Sequence, residues 1–526
     1  MRLLSLTILA ALLVAPTSAS ASTSDFAGHH VQVRPVVVVH GLGLDALPAL
    51  ARSGAVGLLV PSAGPRTSAQ LAFAGIVRGV LHNARLGAKP DGPVLIRVRS
   101  VEELAAVPSR AIVLGLPPQR LGRNDARYPI AVLGGCRGIL TSALTRVPGL
   151  VSAADVARAA LAARHSLGCR PDARAASTLR RLEQRIEVAR GTTMGATVLV
   201  LSLLLLLALV MPSATLPALA AALAANLGLG IVPAGSVTAR LTLLGLCVVA
   251  GGILGRRVAG RIPSVAGGAL LGLVAAHAVA MAVEPSSLSL APIGPELTSR
   301  FFGVSNALET LLLVPGLAGT ALLARRFGPP AFVLGAVLTL VTIAENRLGA
   351  DGGGAIVVAV AFAVLAIGMT RARARTLAPA LLLAGAAAFA LVSLDAATTS
   401  PDHLRGALAG GVGGIATALA HRVPLAYARI ASQWYLVFPL ATLAALAART
   451  RSAAVPRDRR ALVAALAAGV ATSLLVNDSP GPVTLTALAA FVALEPQAVR
   501  REIERLASRL LDTPRPTAAT ITIERR

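Results

Sequence analysis

The sequence predicts two parts in series. An α/β domain with a parallel sheet covers about 22–190, and an all-α polytopic membrane domain of about eleven spans covers about 191–496. Three observations carry that prediction. The chain is 55% hydrophobic and only 14% charged over 526 residues, whereas soluble domains carry about 25% charged residues. Its apolar residues are unevenly spread: before residue 190 short runs alternate with amphipathic stretches, and after it come apolar runs of near-membrane length. Finally, the arginines of the second part gather in the short links between those runs, the pattern of the positive-inside rule.

Taken in order, residues 1–21 read as a secretory signal: Arg2, the apolar run 3–14, then small residues ending in Ala-Ser-Ala at 19–21. An uncleaved anchor is the alternative, and either places the next segment outside. Strands are expected at 36–40, 55–60, 94–98, 111–116 and 130–133. The first of these, four valines before His40, suits a strand buried on both faces. Helical stretches at 41–51, 68–81, 153–163 and 178–190 alternate with them, as a helix-covered parallel sheet requires. The last is Arg-rich and amphipathic and leads nearly straight into the first span.

Spans are expected at 195–211, 215–233, 239–255, 264–283, 305–323, 331–344, 355–370, 377–394, 434–448, 461–476 and 482–495. With the first domain outside, 256–261, 325–326, 371–375, 449–460 and the tail 497–526 become cytoplasmic, and all are arginine-rich. The segment 403–432 mixes His403, Arg405, His421, Arg422 and Arg429 with leucines and reads as an amphipathic segment on the outer side. A weakly hydrophobic span hidden within the bundle is its alternative. The expected location is the plasma membrane.

The net charge of +25 comes from arginine, since Lys89 is the only lysine. Because those arginines lie between apolar runs and aromatic residues make up only 3%, the sequence excludes a nucleic-acid partner and points to the lipid bilayer. Three cysteines are present. Cys136 and Cys169 fall in the first domain, where an oxidising compartment permits a disulfide between them; Cys247 lies in an apolar run. No Cys/His spacing suggests a metal site, and no cofactor is read.

The chain is organised around 299–309 (SRFFGVSNALE), which sets a guanidinium, an amide and a carboxylate at the start of an apolar run. Asn306 and Glu309 are three apart and share a helix face. A carboxylate there is a functional candidate by default; pairing with an arginine of a neighbouring helix is the structural alternative. Further clusters fall on the same expected outer side: Glu345, Asn346 and Asp351 before the glycines 352–354, then His403 and Arg405, then Asn477, Asp478 and Ser479. Glu309, Glu345, His403 and Asp478 are the catalytic candidates, a carboxylate serving as general base or cation ligand and His403 as proton shuttle. Arg300, Asn306, Asn346, Asp351, Arg405, Asn477 and Ser479 are the substrate-binding candidates, the arginines suited to phosphate or carboxylate. Capping offers another account of Asp478 and Ser479, which precede a proline.

The run 36–43, followed by 47–57 and 61–69, resembles the start of alkaline-phosphatase/sulfatase-type domains, and 141–155 resembles a later segment of the same kind. More narrowly, the chain resembles actinobacterial multi-pass membrane proteins with a signal peptide, a reduced ectodomain of that type and a long membrane region. The resemblance implies a metal-binding Asp at the end of the first strand and a Thr or Ser nucleophile after the next. Here His40 takes the Asp position, and Thr67 or Ser68 lies near the nucleophile position. A non-catalytic ectodomain is therefore expected, above a membrane domain handling a lipid-linked or anionic glycan substrate such as an envelope precursor. A transporter or flippase, and a structural protein without catalysis, are the alternatives.

Overall fold

The computed structural model describes residues 35–79, 96–99, 109–160, 167–232, 235–259, 262–298, 300–345, 347–350, 352–370, 455–477 and 480–511, with isolated positions between 413 and 448. The signal 1–21, the segment 403–432 apart from Gly413, and the span 377–394 lie outside these residues, as does most of 434–448.

The first domain is built on an eight-stranded sheet in the order β10-β8-β2-β7-β5-β1-β4, with β9 added beside β2. Its strands are β1 (Val36–His40), β2 (Gly54–Val60), β4 (Ile96–Arg99), β5 (Ile112–Leu116), β7 (Tyr128–Leu133), β8 (Gly138–Thr141), β9 (Leu150–Ser152) and β10 (Gly168–Pro171). A separate small ladder joins β3 (Arg66–Thr67) to β6 (Gly122–Arg123). The sheet is mixed, which corrects the expected parallel arrangement. β1 pairs parallel with β4 and β5, but β7 runs antiparallel to both β5 and β2, and β10 antiparallel to β8. The link 117–127 holds only β6 and no helix, too little for the crossover of a dozen or more residues that a parallel return needs.

Alternation along the strands sorts the core onto two faces. Val36 and Val38 join Leu59, Ile112 and Leu114 under α2 (Ala69–Arg78) and α3 (Ala153–Ala160). Val37 and Val39 join Leu58 and Val113 against α1 (Leu47–Ser53) and the first half of α4 (Ala175–Val210). This second face also takes Leu290, Leu297 and Phe301, which come from a loop far along the chain.

α4 is one helix of 36 residues with no proline inside it. Leu179 and Ile186 pack on the sheet, and the leucine-rich second half is apolar enough to cross a membrane. The helical part continues with α5 (Thr215–Ile231), α6 (Val237–Ala259), α7 (Pro263–Val283), α8 (Asn306–Phe327), α9 (Pro329–Ala344), α10 (Gly352–Thr370), α11 (Arg457–Val476), α12 (Pro480–Leu494) and α13 (Pro496–Leu511). Among the described residues, seven helices are long and apolar enough to span, or eight if α12 and α13, bent by 100° at their junction, form one span. α9 is apolar but has only 16 residues, short of the roughly 20 that cross a bilayer.

α8 lies at the centre, touching α7, α9, α10, α11 and α12. Its apolar stretch is 83% buried, against 22–50% for the other six helices long and apolar enough to span. Small residues permit this crowding. A Cβ on Gly335 of α9 would lie 1.7 Å from Thr320 Oγ1 of α8, and one on Gly316 of α8 would lie 2.6 Å from Thr339 Oγ1 of α9. Each threonine thus sits on the other helix's glycine.

The two ends of the helical part differ in chemistry. At the far end, Arg325 pairs with Asp458 at 2.7 Å, Arg326 reaches Ser264, and Arg457 donates to the Gly368 carbonyl at 2.8 Å. The near end carries the sheet domain and the loop 284–305.

Candidate functional site

At the near end, Ser305 starts α8: its hydroxyl accepts from Leu308 N at 3.2 Å, and its carbonyl accepts from Glu309 N at 2.8 Å. This N-cap sets Glu309 in the first turn, where the helix dipole favours a carboxylate. Glu309 is fully buried. Asn477 Nδ2, just past the end of α11, donates to Glu309 Oε2 at 2.9 Å and lies 2.8 Å from Ser473 Oγ. The beginning of α10 closes on the same amide, since a Cβ on Gly353 would stand 2.4 Å from Asn477 Oδ1. Three helix ends therefore converge on one buried carboxylate–amide pair.

The loop preceding α8 frames this pair. Arg300 Nη1 donates to the Val304 carbonyl, and Val304 N donates to the Gly349 carbonyl at 2.9 Å. Gly303 has φ +81°, and a Cβ there would meet Gly349 O at 2.2 Å, so only glycine fits. The Glu345 carbonyl accepts from Leu348 N and Ala350 N, which folds 347–350 back against the 303–304 turn. Asn306 is buried on the first turn of α8, and its carbonyl accepts from Thr310 Oγ1 at 3.0 Å. Of the expected site residues, the structure thus joins Glu309 to Asn477 directly, and links the Arg300 loop to the Glu345 turn through backbone. Asn346, Asp351, His403, Arg405, Asp478 and Ser479 lie outside the described residues.

The same loop ties the site to the sheet domain. Ser289 Oγ donates to the Phe301 carbonyl at 2.6 Å, and the Arg146 guanidinium lies 4.1 Å over the Phe302 ring. Deeper in this joint, Arg127 Nε and Nη2 hold Glu183 Oε2 and Oε1 of α4 at 2.7 and 2.8 Å, both side chains buried.

In the sheet domain, His40 ends β1, Thr67 is buried within β3, and the Ser68 hydroxyl caps α2 by accepting from Leu71 N at 3.3 Å. Capping explains Ser68 without chemistry. Among the described residues, no three His, Cys, Asp or Glu side chains converge as a metal set would. Cys136 and Cys169 are bonded, Cα to Cα 6.3 Å, which staples the turn before β8 to β10.

Asp155 is a buried acid that the sequence reading left unused. Its Oδ2 accepts from Ser142 Oγ at 2.8 Å and Ser152 N at 2.9 Å, while Ser152 Oγ accepts from Ala154 N. This is a capping box that starts α3. Burial pushes its carboxyl up to about 6, against the opposing pull of the Ser152 amide, the Ser142 hydroxyl and Arg158. The folded pKa exceeds the unfolded one, so the fold disfavours ionisation. The contribution of Asp155 to stability should therefore be most favourable below about pH 4, fall as pH rises from about 4 to 6, and level off above. Melting the full-length protein across that window, wild type against Asp155→Asn, should show a flatter profile in the variant, the difference being of order 2–3 kcal/mol. Parallel profiles would remove Asp155 as the titrating group.

Several polar residues within the helices were also missed: Asn226 on α5, Arg240 on α6, His277 on α7 and Ser473 on α11, all buried. Asn226 Oδ1 accepts from Ile293 N at 2.7 Å and so holds the loop. Each lies in or against an apolar run, a signal already present in the sequence. The chain matches no protein-family model, no curated protein and no solved structure.

Proposed function

We propose that this is a multi-pass protein of the plasma membrane whose sheet domain lies on the extracytoplasmic side, and whose near-end polar cluster handles a lipid-linked or anionic glycan substrate. The observation that carries the proposal is the Glu309–Asn477 pair, buried where three helix ends meet beneath the sheet domain. A carboxylate kept at such depth by a neighbouring amide can take a proton or hold a cation against a sugar hydroxyl or phosphate. The orientation draws on the far-end arginines, as the positive-inside rule expects for a cytoplasmic side. The Cys136–Cys169 bond on the opposite side suits an oxidising compartment. In this reading the sheet domain binds substrate or a partner without catalysis, and the degenerate positions His40, Thr67 and Ser68 carry no chemistry.

The test is the lipid and envelope-glycan profile of a deletion strain carrying wild type or Glu309→Gln. Glutamine keeps the side chain's shape and an oxygen facing Asn477 Nδ2, but removes the charge. The expected result is an accumulated lipid-linked intermediate that wild type clears and Glu309→Gln does not, at equal amounts of protein in the membrane. An unchanged profile in the deletion strain would overturn the substrate class. Loss of the variant from the membrane would make Glu309 a packing residue.

A further inference from the structure

A second polar corner lies apart from the Glu309 pair, where α4, α5 and α6 meet the helical turn Ser286–Ser289. Arg240, in the first turn of α6, is fully buried, and its Nη1 donates to the Leu290 carbonyl at 2.9 Å. Its Nε and Nη2 are buried with no hydrogen-bond partner among the described residues. Arg185 of α4 donates from Nη2 to the Gly230 carbonyl at 3.2 Å, and its Nε is likewise buried and unpartnered. These carbonyls belong to one patch: a Cβ on Gly230 would stand 1.8 Å from Ser287 O, so the end of α5 presses on the 286–290 turn. The Ser287 hydroxyl is buried there, also without a partner.

The electrostatics of this corner are unbalanced. Arg185 and Arg240 are close enough to repel one another, and Glu284 is the carboxylate within electrostatic reach of Arg185. Glu284 is itself exposed and engaged by the Ser286 amide and hydroxyl. A buried guanidinium with open donors is costly unless something accepts from them. Which donors are open indicates what accepts. Nε and Nη2 form the side-on fork of a guanidinium, the same edge with which Arg127 grips both oxygens of Glu183. In Arg240 that edge meets no carboxylate among the described residues.

We infer that Arg240 and Arg185, with Ser287 beside them, form a binding site for a phosphate-type oxyanion, presented by a phospholipid headgroup at the near-end surface of the membrane. Arg240 lies in the first turn of a helix long and apolar enough to span, which would set it at headgroup depth, and Arg185 beside it is only half-buried. The site binds two oxygens of one oxyanion on the Arg240 fork, with Arg185 Nε and the Ser287 hydroxyl as further donors. It is independent of the Glu309 reading.

The experiment uses full-length protein purified in mild detergent. Native mass spectrometry and phosphorus assay after extraction should find stoichiometric phospholipid on wild type. Arg240→Gln should lower that occupancy about tenfold or more, as loss of a charge-assisted fork implies. Arg257→Gln, at the other end of α6, should leave it unchanged. Arg240→Lys keeps the charge but not the fork, and Arg185→Gln alters only the half-buried partner. These two supply the test should Arg240→Gln fail to fold, and both should lose lipid. Delipidated wild type is then melted with inorganic phosphate. A rise in Tm that is absent from the variants, without co-purified phospholipid, would assign the site to free oxyanion and overturn the headgroup source. Equal lipid occupancy in all variants, or neither lipid nor a phosphate response in wild type, would overturn the site.

Discussion

An Arg127→Gln variant of the full-length protein should lose about 3 kcal/mol of stability, because it leaves Glu183 buried without its two charge-assisted hydrogen bonds and with only Arg190 in electrostatic reach. Arg127 follows the β6 ladder, Glu183 lies on α4, and their two parallel hydrogen bonds are shielded from water. The pair is a polar fastening between the sheet domain and α4, whose second half is apolar enough to cross a membrane. The loss is read from thermal or urea unfolding followed by circular dichroism, as a lowered first transition. Arg127→Met combined with Glu183→Leu should recover most of it, since a matched apolar pair carries no desolvation cost. If the double variant is as unstable as the single, the geometry rather than the buried charge is what matters there.

Breaking the Cys136–Cys169 bond should cost about 3–4 kcal/mol by the loop-entropy argument, given a sequence separation of 33 residues. Cys136→Ser with Cys169→Ser, or reductant added to wild type, should lower the urea midpoint by that free energy divided by the m-value. Cys247 is a free thiol on α6 and provides the control: Cys247→Ser should leave the midpoint where it is. A midpoint insensitive to reductant would mean the bond is absent in solution.

The parts of this molecule that could be read from its sequence are those set by local period. The valines of β1, the strand at 55–60 and the amphipathic lead into α4 each declare their own conformation, and the position of Asn306 and Glu309 at a helix start follows from Ser305 and the apolar run behind it. What could not be read is partnership. Nothing in the local pattern near Glu309 points to Asn477, 168 residues away, and nothing in the pattern of β7 says that it runs against its neighbours. Nor does an arginine at the edge of an apolar run reveal whether a carboxylate awaits it. Among the described residues Arg127 has one and Arg240 does not, although both are arginines beside apolar segments.

The closure of the sheet domain by Leu290, Leu297 and Phe301 has a consequence for synthesis. The ribosome delivers β1 to β10 first, but three members of one core face arrive only after α4, α5, α6 and α7 have been made. Domains ordinarily fold as units in the order they emerge. Here one apolar face of the sheet is completed only by residues made after α7, so the last step in folding this domain should follow synthesis of α4 to α7.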